Sequence, residues 1–179
     1  FIRFVQNIPM DKFDYRYAEG KWTIKDIIQH VIDTERIFAY RALRFSRNDK
    51  TPLPSFEESE DADNTDSNQR SIQDLLTEFS AVRHSNLLFY KSLSEEQLKF
   101  IGTSSNNPMS TRALGFVIIG HQKHHQKVFE ERYFDFILNL FTSFGYLENH
   151  DENIKAFQAA ARNLRKGGIF VMDFFNTEY

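Results

Sequence analysis

Leu114-Gly115-Phe116-Val117-Ile118-Ile119-Gly120-His121-Gln122-Lys123-His124-His125-Gln126-Lys127-Val128 places three histidines inside a stretch that otherwise reads as an amphipathic helix. Leu114, Val117, Ile118, His121, His125 and Val128 recur at spacings of three and four, which predicts one buried stripe. His121 and His125 lie near the middle of that stripe, and His124 lies at its edge. Two imidazoles aimed at a core are costly unless their ring nitrogens find partners, and one metal ion would satisfy both together. The alternative is that these are surface histidines, or core histidines bonded to neighbouring carbonyls. Ser110 starts this helix, which is expected to run to about Arg132.

Histidines at i and i+4 bring two ring nitrogens within reach of one ion, so a third ligand must come from another helix. His30 is the best-placed candidate. It sits on a helix expected from Thr23 to about Ser46, with Thr23 and Asp26 spaced as a cap. Ile24, Ile27, Ile28, Val31, Phe38 and Ala42 supply the apolar positions, and His30 shares a neighbouring stripe with Ile27, Thr34, Ile37 and Arg41. Three neutral imidazoles suit zinc, nickel or another borderline divalent ion, with iron and manganese as further candidates. Three protein ligands leave a coordination position open, as in a catalytic site. An ion held this way lowers the pKa of a bound water or keeps a bound thiol as thiolate. No catalytic residue beyond the metal site is expected.

Other segments carry less chemistry. Ser71 with Asp74 opens a second helix through Leu75, Phe79, Val82, Asn86, Leu87 and Tyr90, and Ser94-Glu95-Glu96-Gln97 reads as another capping box. Thr51 to Arg70 is expected to be a long polar loop, and Gly102 to Pro108 a shorter one. Arg41, Arg44 and Arg47 could grip a phosphate or carboxylate, but are read as a solvated helix face. The acidic run Glu57 to Asp66 lacks the glycine and terminal glutamate of a calcium loop and is read as solvated linker. Tyr15, Tyr17 and Trp22 are expected to pack in the core and at the helix start, and His84 and His150 to lie on the surface.

The 179 residues are 41% hydrophobic and 26% charged, an ordinary globular balance, and the net charge of -3 gives no reason to expect nucleic acid. No apolar run approaches the roughly 18 residues of a membrane span. The absence of cysteine excludes disulfides and a catalytic thiol and fits a reducing, cytoplasmic setting. Any thiol chemistry must use a thiol brought in from outside. Phe1, Ile2, Phe4 and Val5 read as the last turns of a helix that stops at Ile8-Pro9, so a further piece is expected upstream.

After Arg132 the period changes. Phe134 to Leu140 reads as a buried strand, Asp151 to Arg165 as a helix, and Ile169 to Phe175 as a second strand after Gly167-Gly168. Strand, helix and strand make a βαβ unit, too small to bury its own faces.

Residues 9–133 resemble the DinB/YfiT-like family of metal-dependent four-helix proteins. The likeness rests on Asp14-Tyr15-Arg16-Tyr17-Ala18-Glu19-Gly20-Lys21-Trp22, His30 through Arg36, Lys50-Thr51-Pro52-Leu53-Pro54 and Gly120-His121-Gln122-Lys123-His124-His125. The resemblance implies a divalent metal held by His30, His121 and His125. It also implies, in some members, transfer of a low-molecular-weight thiol to a small electrophile. Phe134 to Tyr179 resembles an internal fragment of a class I S-adenosylmethionine-dependent methyltransferase, on Leu138 to Tyr146 and Lys166 to Phe174. The glycine-rich loop and acidic residue of such domains are missing, so cofactor binding by this chain alone is not expected.

The resulting expectation is a mainly α protein. Residues 1–133 form an up-down helical bundle lacking most of its first helix, and 134–179 a partial βαβ fragment. The two likenesses abut at Tyr133-Phe134 without a linker, the pattern of a joined reading frame. An incomplete bundle would expose apolar surface and favour a homodimer. Two other functions remain open: a methyltransferase fragment fused to the bundle, and a non-enzymatic, stress-related interaction bundle.

Overall fold

The Thr23 hydroxyl accepts from the Asp26 amide at 3.0 Å, and the Asp26 carboxylate accepts back from the Thr23 amide at 2.8 Å. A cap of this kind contributes about 1 kcal/mol. It starts α2 (Ile24–Ser46) at the residue the sequence indicates. The computed structural model describes residues 1–16, 18–132, 136–139, 154 and 169–172. Burial alone would raise the Asp26 carboxyl, but hydrogen bonds from Ser67 and Thr23 and the nearby Arg16 hold it below its ordinary value. Ahead of α2, the short α1 (Ile2–Gln6) ends before Pro9, as expected from proline's missing N–H.

Ser71 caps α4 (Ile72–Lys91) by accepting from the Asp74 amide at 3.1 Å, and Ser94 with Gln97 forms the capping box of α5 (Glu95–Lys99). In α6 (Thr111–Arg132), Ser110 Oγ accepts from the Ala113 amide at 3.1 Å. The first half of α2 is buried nearly all round, through Ile24, Ile27, Ile28, Val31 and Ile32. It packs against α4, the short α3 (Glu58–Asp63) and α5. Further along α2, Ala42 and Phe45 join Leu53 and Leu114 in a core bordered by Phe38, Phe89, Tyr90 and Met109.

Two loop expectations are corrected. The polar stretch Thr51 to Arg70 contains α3 and a 3-10 turn at Ser67–Gln69. Glu58, Glu60 and Asp61 lie in the first turn of α3, where acidic side chains complement the helix dipole, so the acidic run is partly helical. Gly102 to Pro108 is also not a loop. Strands β1 (Ile101–Ser104) and β2 (Asn107–Ser110) form an antiparallel hairpin, turned by Ser105 and Asn106 with φ of 50° and 63°. Positive φ at both central residues is the hairpin-matching turn, here made without its usual glycine. Gly102 serves a different need: a Cβ there would stand 1.9 Å from the Phe45 ring.

The chain divides into two compact units, Phe1–His125 and Gln126–Tyr179. In the second unit β3 (Phe136–Asn139) pairs in parallel with β4 (Ile169–Met172), Phe136 opposite Ile169 and Asn139 opposite Met172. The expected helix over 151–165 lies outside the described residues apart from Ile154, which is helical. Tyr17, His150 and Gly167-Gly168 also lie outside them.

Candidate metal centre

α2 and α6 bring His30, His121 and His125 together. His30 Nε2 lies 3.0 Å from His121 Nε2, and His125 Nε2 lies 3.1 Å from His121 Nε2. One ligand atom from each of the three falls within 4.8 Å of the others. The rings meet edge to face, with centroids 4.6 to 4.9 Å apart. His30 is 5% exposed, and His121 and His125 are half-buried. His124 is exposed, its ring 5.2 Å from that of His125, and His84 is exposed on α4.

Hydrogen bonds within the cluster do not satisfy it. A neutral imidazole has one N–H and one lone pair. His121 Nε2 faces both other rings, so it completes one good hydrogen bond and leaves the second contact poorly made. His125 Nδ1 is buried with no hydrogen-bond partner, and Thr34 Oγ1 stands a long 3.4 Å from His30 Nδ1. Protons placed on Nδ1 would instead aim three Nε2 lone pairs at one another, the arrangement a cation stabilises. Tetrahedral coordination at zinc–nitrogen distances of about 2.0–2.1 Å separates nitrogens by about 3.3 Å, close to the contacts seen.

The electrostatics agree with a cluster built to stay unprotonated. Burial, then the neighbouring His121, pushes His30 down to about 4. Burial and His124 push His121 down to about 4, opposed by the carboxylate of Glu35. Burial and the three surrounding histidines push His125 down to about 3. Unprotonated imidazole is the form that ligates metal.

Around the trio, the Trp22 ring packs 4.8 Å from His30 and the Phe38 ring 6.1 Å from His121. A recess beside His30, walled by Asp33, Thr34, Ile37, Phe56, Asp61 and Ala62, has about 10 Å³ of free space, room for one water at most. Glu35 is buried and held by Arg83 through two hydrogen bonds of 2.8 and 2.9 Å, with Asn86 at 2.9 Å. Sequence reasoning overlooked this network. Glu35 among the buried positions of α2, with Arg83 and Asn86 one turn apart on α4, was the available signal. The arginine row is also corrected. Arg41 is buried, Arg44 pairs with Asp49, and Arg47 alone is exposed, because α2 turns Arg41 inward beside Phe38.

The architecture is thus a mainly helical bundle with a three-histidine cluster between two of its helices. Comparison with known proteins gives the family. The model for the DinB superfamily matches residues 1–129, most of the chain, and the protein belongs to that superfamily. Among solved structures it is similar to YfiT from Bacillus subtilis, described as a probable metal-dependent hydrolase with an unusual four-helix bundle topology. That match has a TM-score of 0.59 and 18% identity, and covers 70% of this chain and 73% of the other. It is also similar to YjoA, a DinB-like protein of Bacillus subtilis, with a TM-score of 0.48 and 17% identity over 70% of this chain and 76% of that one. No curated protein matches. Among the described residues, no helix is long and apolar enough to cross a membrane.

Proposed function

We propose that His30, His121 and His125 hold one divalent cation through Nε2 and that the centre serves a thiol S-transferase, which joins a low-molecular-weight thiol to a small electrophile. The convergence of one ring nitrogen from each histidine within 4.8 Å, with Nε2 contacts of 3.0 and 3.1 Å, carries the metal part of this reading. The Nε2 contacts of 3.0 and 3.1 Å, which hydrogen bonds cannot both satisfy, and the depressed imidazole pKa values support it. When bound, the cation supplies an open, Lewis-acidic position that favours the deprotonated form of a thiol or water. Imidazole donors suit zinc or nickel, with iron and manganese behind them.

The chain's own residues supply the rest. Trp22 and Phe38 wall the histidines with apolar surface, which limits water around a nucleophile. Thr34 orients His30 through Nδ1. In the transfer, the sulfur forms a bond to the electrophilic carbon, the leaving group departs with the bonding pair, and the thiol proton passes to solvent.

A second reading, hydrolysis by an activated water, is favoured by the description of YfiT. Hydrolysis calls for a general base or acid at hand. Arg83 and Asn86 already occupy the oxygens of Glu35, and Gln29 and Arg36 those of Asp33, while Asp61 also walls the recess beside His30. Thiol transfer is placed first on the family resemblance, and the experiment below separates the two. Nothing supports the resemblance of Phe134 to Tyr179 to a methyltransferase, since the parallel β3–β4 pairing is common to many α/β folds, and it enters no part of the proposal.

Elemental analysis beside a cobalt(II) titration tests the centre. One metal per chain, lost in His121→Ala, is expected. Equal, sub-stoichiometric metal in both proteins would refute it, leaving a non-enzymatic bundle. With metal loaded, a sulfur-to-cobalt charge-transfer band on adding mercaptoethanol supports thiol transfer. Its absence, with turnover of an activated ester, would favour hydrolysis.

A further inference from the structure

Arg41 differs from the less buried arginines. Arg36, Arg44, Arg70, Arg83 and Arg112 each meet a carboxylate. Arg41 is 6% exposed, yet among the described residues no carboxylate stands within ion-pair distance of it. Its hydrogen bonds leave from one nitrogen, Nη2, to neutral oxygens: the Pro54 carbonyl at 2.8 Å and Ser105 Oγ at 3.4 Å. Among the described residues, Nε and Nη1 have no acceptor, and neither is among the fully buried side-chain atoms that lack a partner. A guanidinium presents five donors in a planar fork matched to a carboxylate, and here the donors on Nε and Nη1 lack an acceptor among the described residues.

Its position ties this open charge to the histidines. The guanidinium carbon sits 5.7 Å from the Phe38 ring and 5.3 Å from the Phe56 ring, which hold it in place. The Phe38 ring is in turn 6.1 Å from that of His121, and Phe56 walls the recess beside His30. The Phe38 ring therefore borders both the histidine centre and a buried cation that meets no carboxylate among the described residues.

We propose that Arg41 is the recognition group for a carboxylate on the small molecule bound at the histidine centre, and so selects anionic over neutral ligands. The assignment of the ligand's other end to the metal rests on the reading above. Burial also pulls Arg41 below the ordinary guanidinium value, a cost that a bound anion would offset.

The test uses cobalt-loaded protein and two kinds of thiol, read by the charge-transfer band. The anionic series is mercaptopropionate, mercaptobutyrate and mercaptohexanoate, and the neutral control is mercaptoethanol. The best-fitting acid should bind about tenfold or more tightly than the control. Arg41→Gln should abolish that preference and leave mercaptoethanol affinity unchanged. Arg41→Lys, which keeps the cation and a donor for Pro54, should retain part of it. A merely structural arginine predicts a lowered Tm with the anionic-to-neutral ratio intact, and that result overturns the proposal, as does equal affinity for both thiols in the unaltered protein.

A second arm separates this proposal from the metal and thiol readings. Calorimetric titration with glutarate, which carries no thiol, should show saturable binding that Arg41→Gln removes, whatever the cobalt experiment shows. Absence of glutarate binding, or its persistence in Arg41→Gln, overturns the assignment to Arg41. Failure of cobalt or mercaptoethanol to bind refutes only the function proposed above.

Discussion

Two polar clusters lie within five residues of each other on α2, and they are built on opposite terms. Glu35 is buried, and Arg83 and Asn86 saturate its oxygens at 2.8 to 2.9 Å. His30 is buried just as deeply, but its cluster forces Nε2 atoms together at 3.0 and 3.1 Å, contacts that hydrogen bonds cannot both satisfy. A completed network rigidifies the bundle that contains it, while an incomplete one costs stability until something completes it. The difference marks the glutamate cluster as a strut between α2 and α4 and the histidine cluster as a place for a ligand.

The comparison breaks most visibly at the strut. Arg83→Ala leaves the Glu35 carboxylate buried without its main partner and should cost about 3 kcal/mol. Urea melts read this directly; a loss under about 1 kcal/mol would mean that the network is not structural. The histidine cluster should respond in the opposite sense. His121→Ala should change the metal-free stability little, yet remove the stabilisation that metal confers, about 2.7 kcal/mol at a hundred times Kd. Thermal melts with and without zinc supply the check, and an equal metal-induced shift in both proteins would contradict the assignment.

Acid sharpens the contrast. The histidines are held at about 4, 4 and 3 in the folded protein, below their ordinary 6.5. Between those values the unfolded chain binds more protons. The stability of the metal-free protein is therefore full above about pH 6.5 and falls as pH drops through 4 toward 3. Bound metal should defer the fall, because protons must displace it first. Melts of both forms across that range would show the separation, and coincident profiles would count against it. The smallest effect is expected from Thr34→Val. Its 3.4 Å contact to His30 Nδ1 is long, so metal affinity should fall by about tenfold at most, measured by competition with a chelating dye.

Much of this was legible in the chain because local rules carried it. Thr23, Ser71 and Ser94 each stand three residues before a capping partner, and all three start helices where expected. The i, i+4 spacing sets His121 and His125 on one face whatever the surroundings, and His30 was separated from the other histidines by its place on a buried helix. What escaped was non-local or lacked its usual marker. The 101–110 hairpin turns through Ser105 and Asn106, with no glycine to announce it. The helix inside the acidic run depends on dipole complementarity rather than on an apolar stripe.

The sequence by itself determined a mainly helical chain, where its long helices start, and a histidine pair competent to share an ion, because caps and periodicity act over a few residues. Tertiary structure alone decided that His30 meets that pair and that Glu35 is matched by Arg83. It also decided that Arg41, unlike Arg44 and Arg47, is turned inward, with no acid beside it among the described residues. Those outcomes depend on which faces α2, α4 and α6 present to one another, and residues as far apart as His30 and His121 meet only once the helices pack.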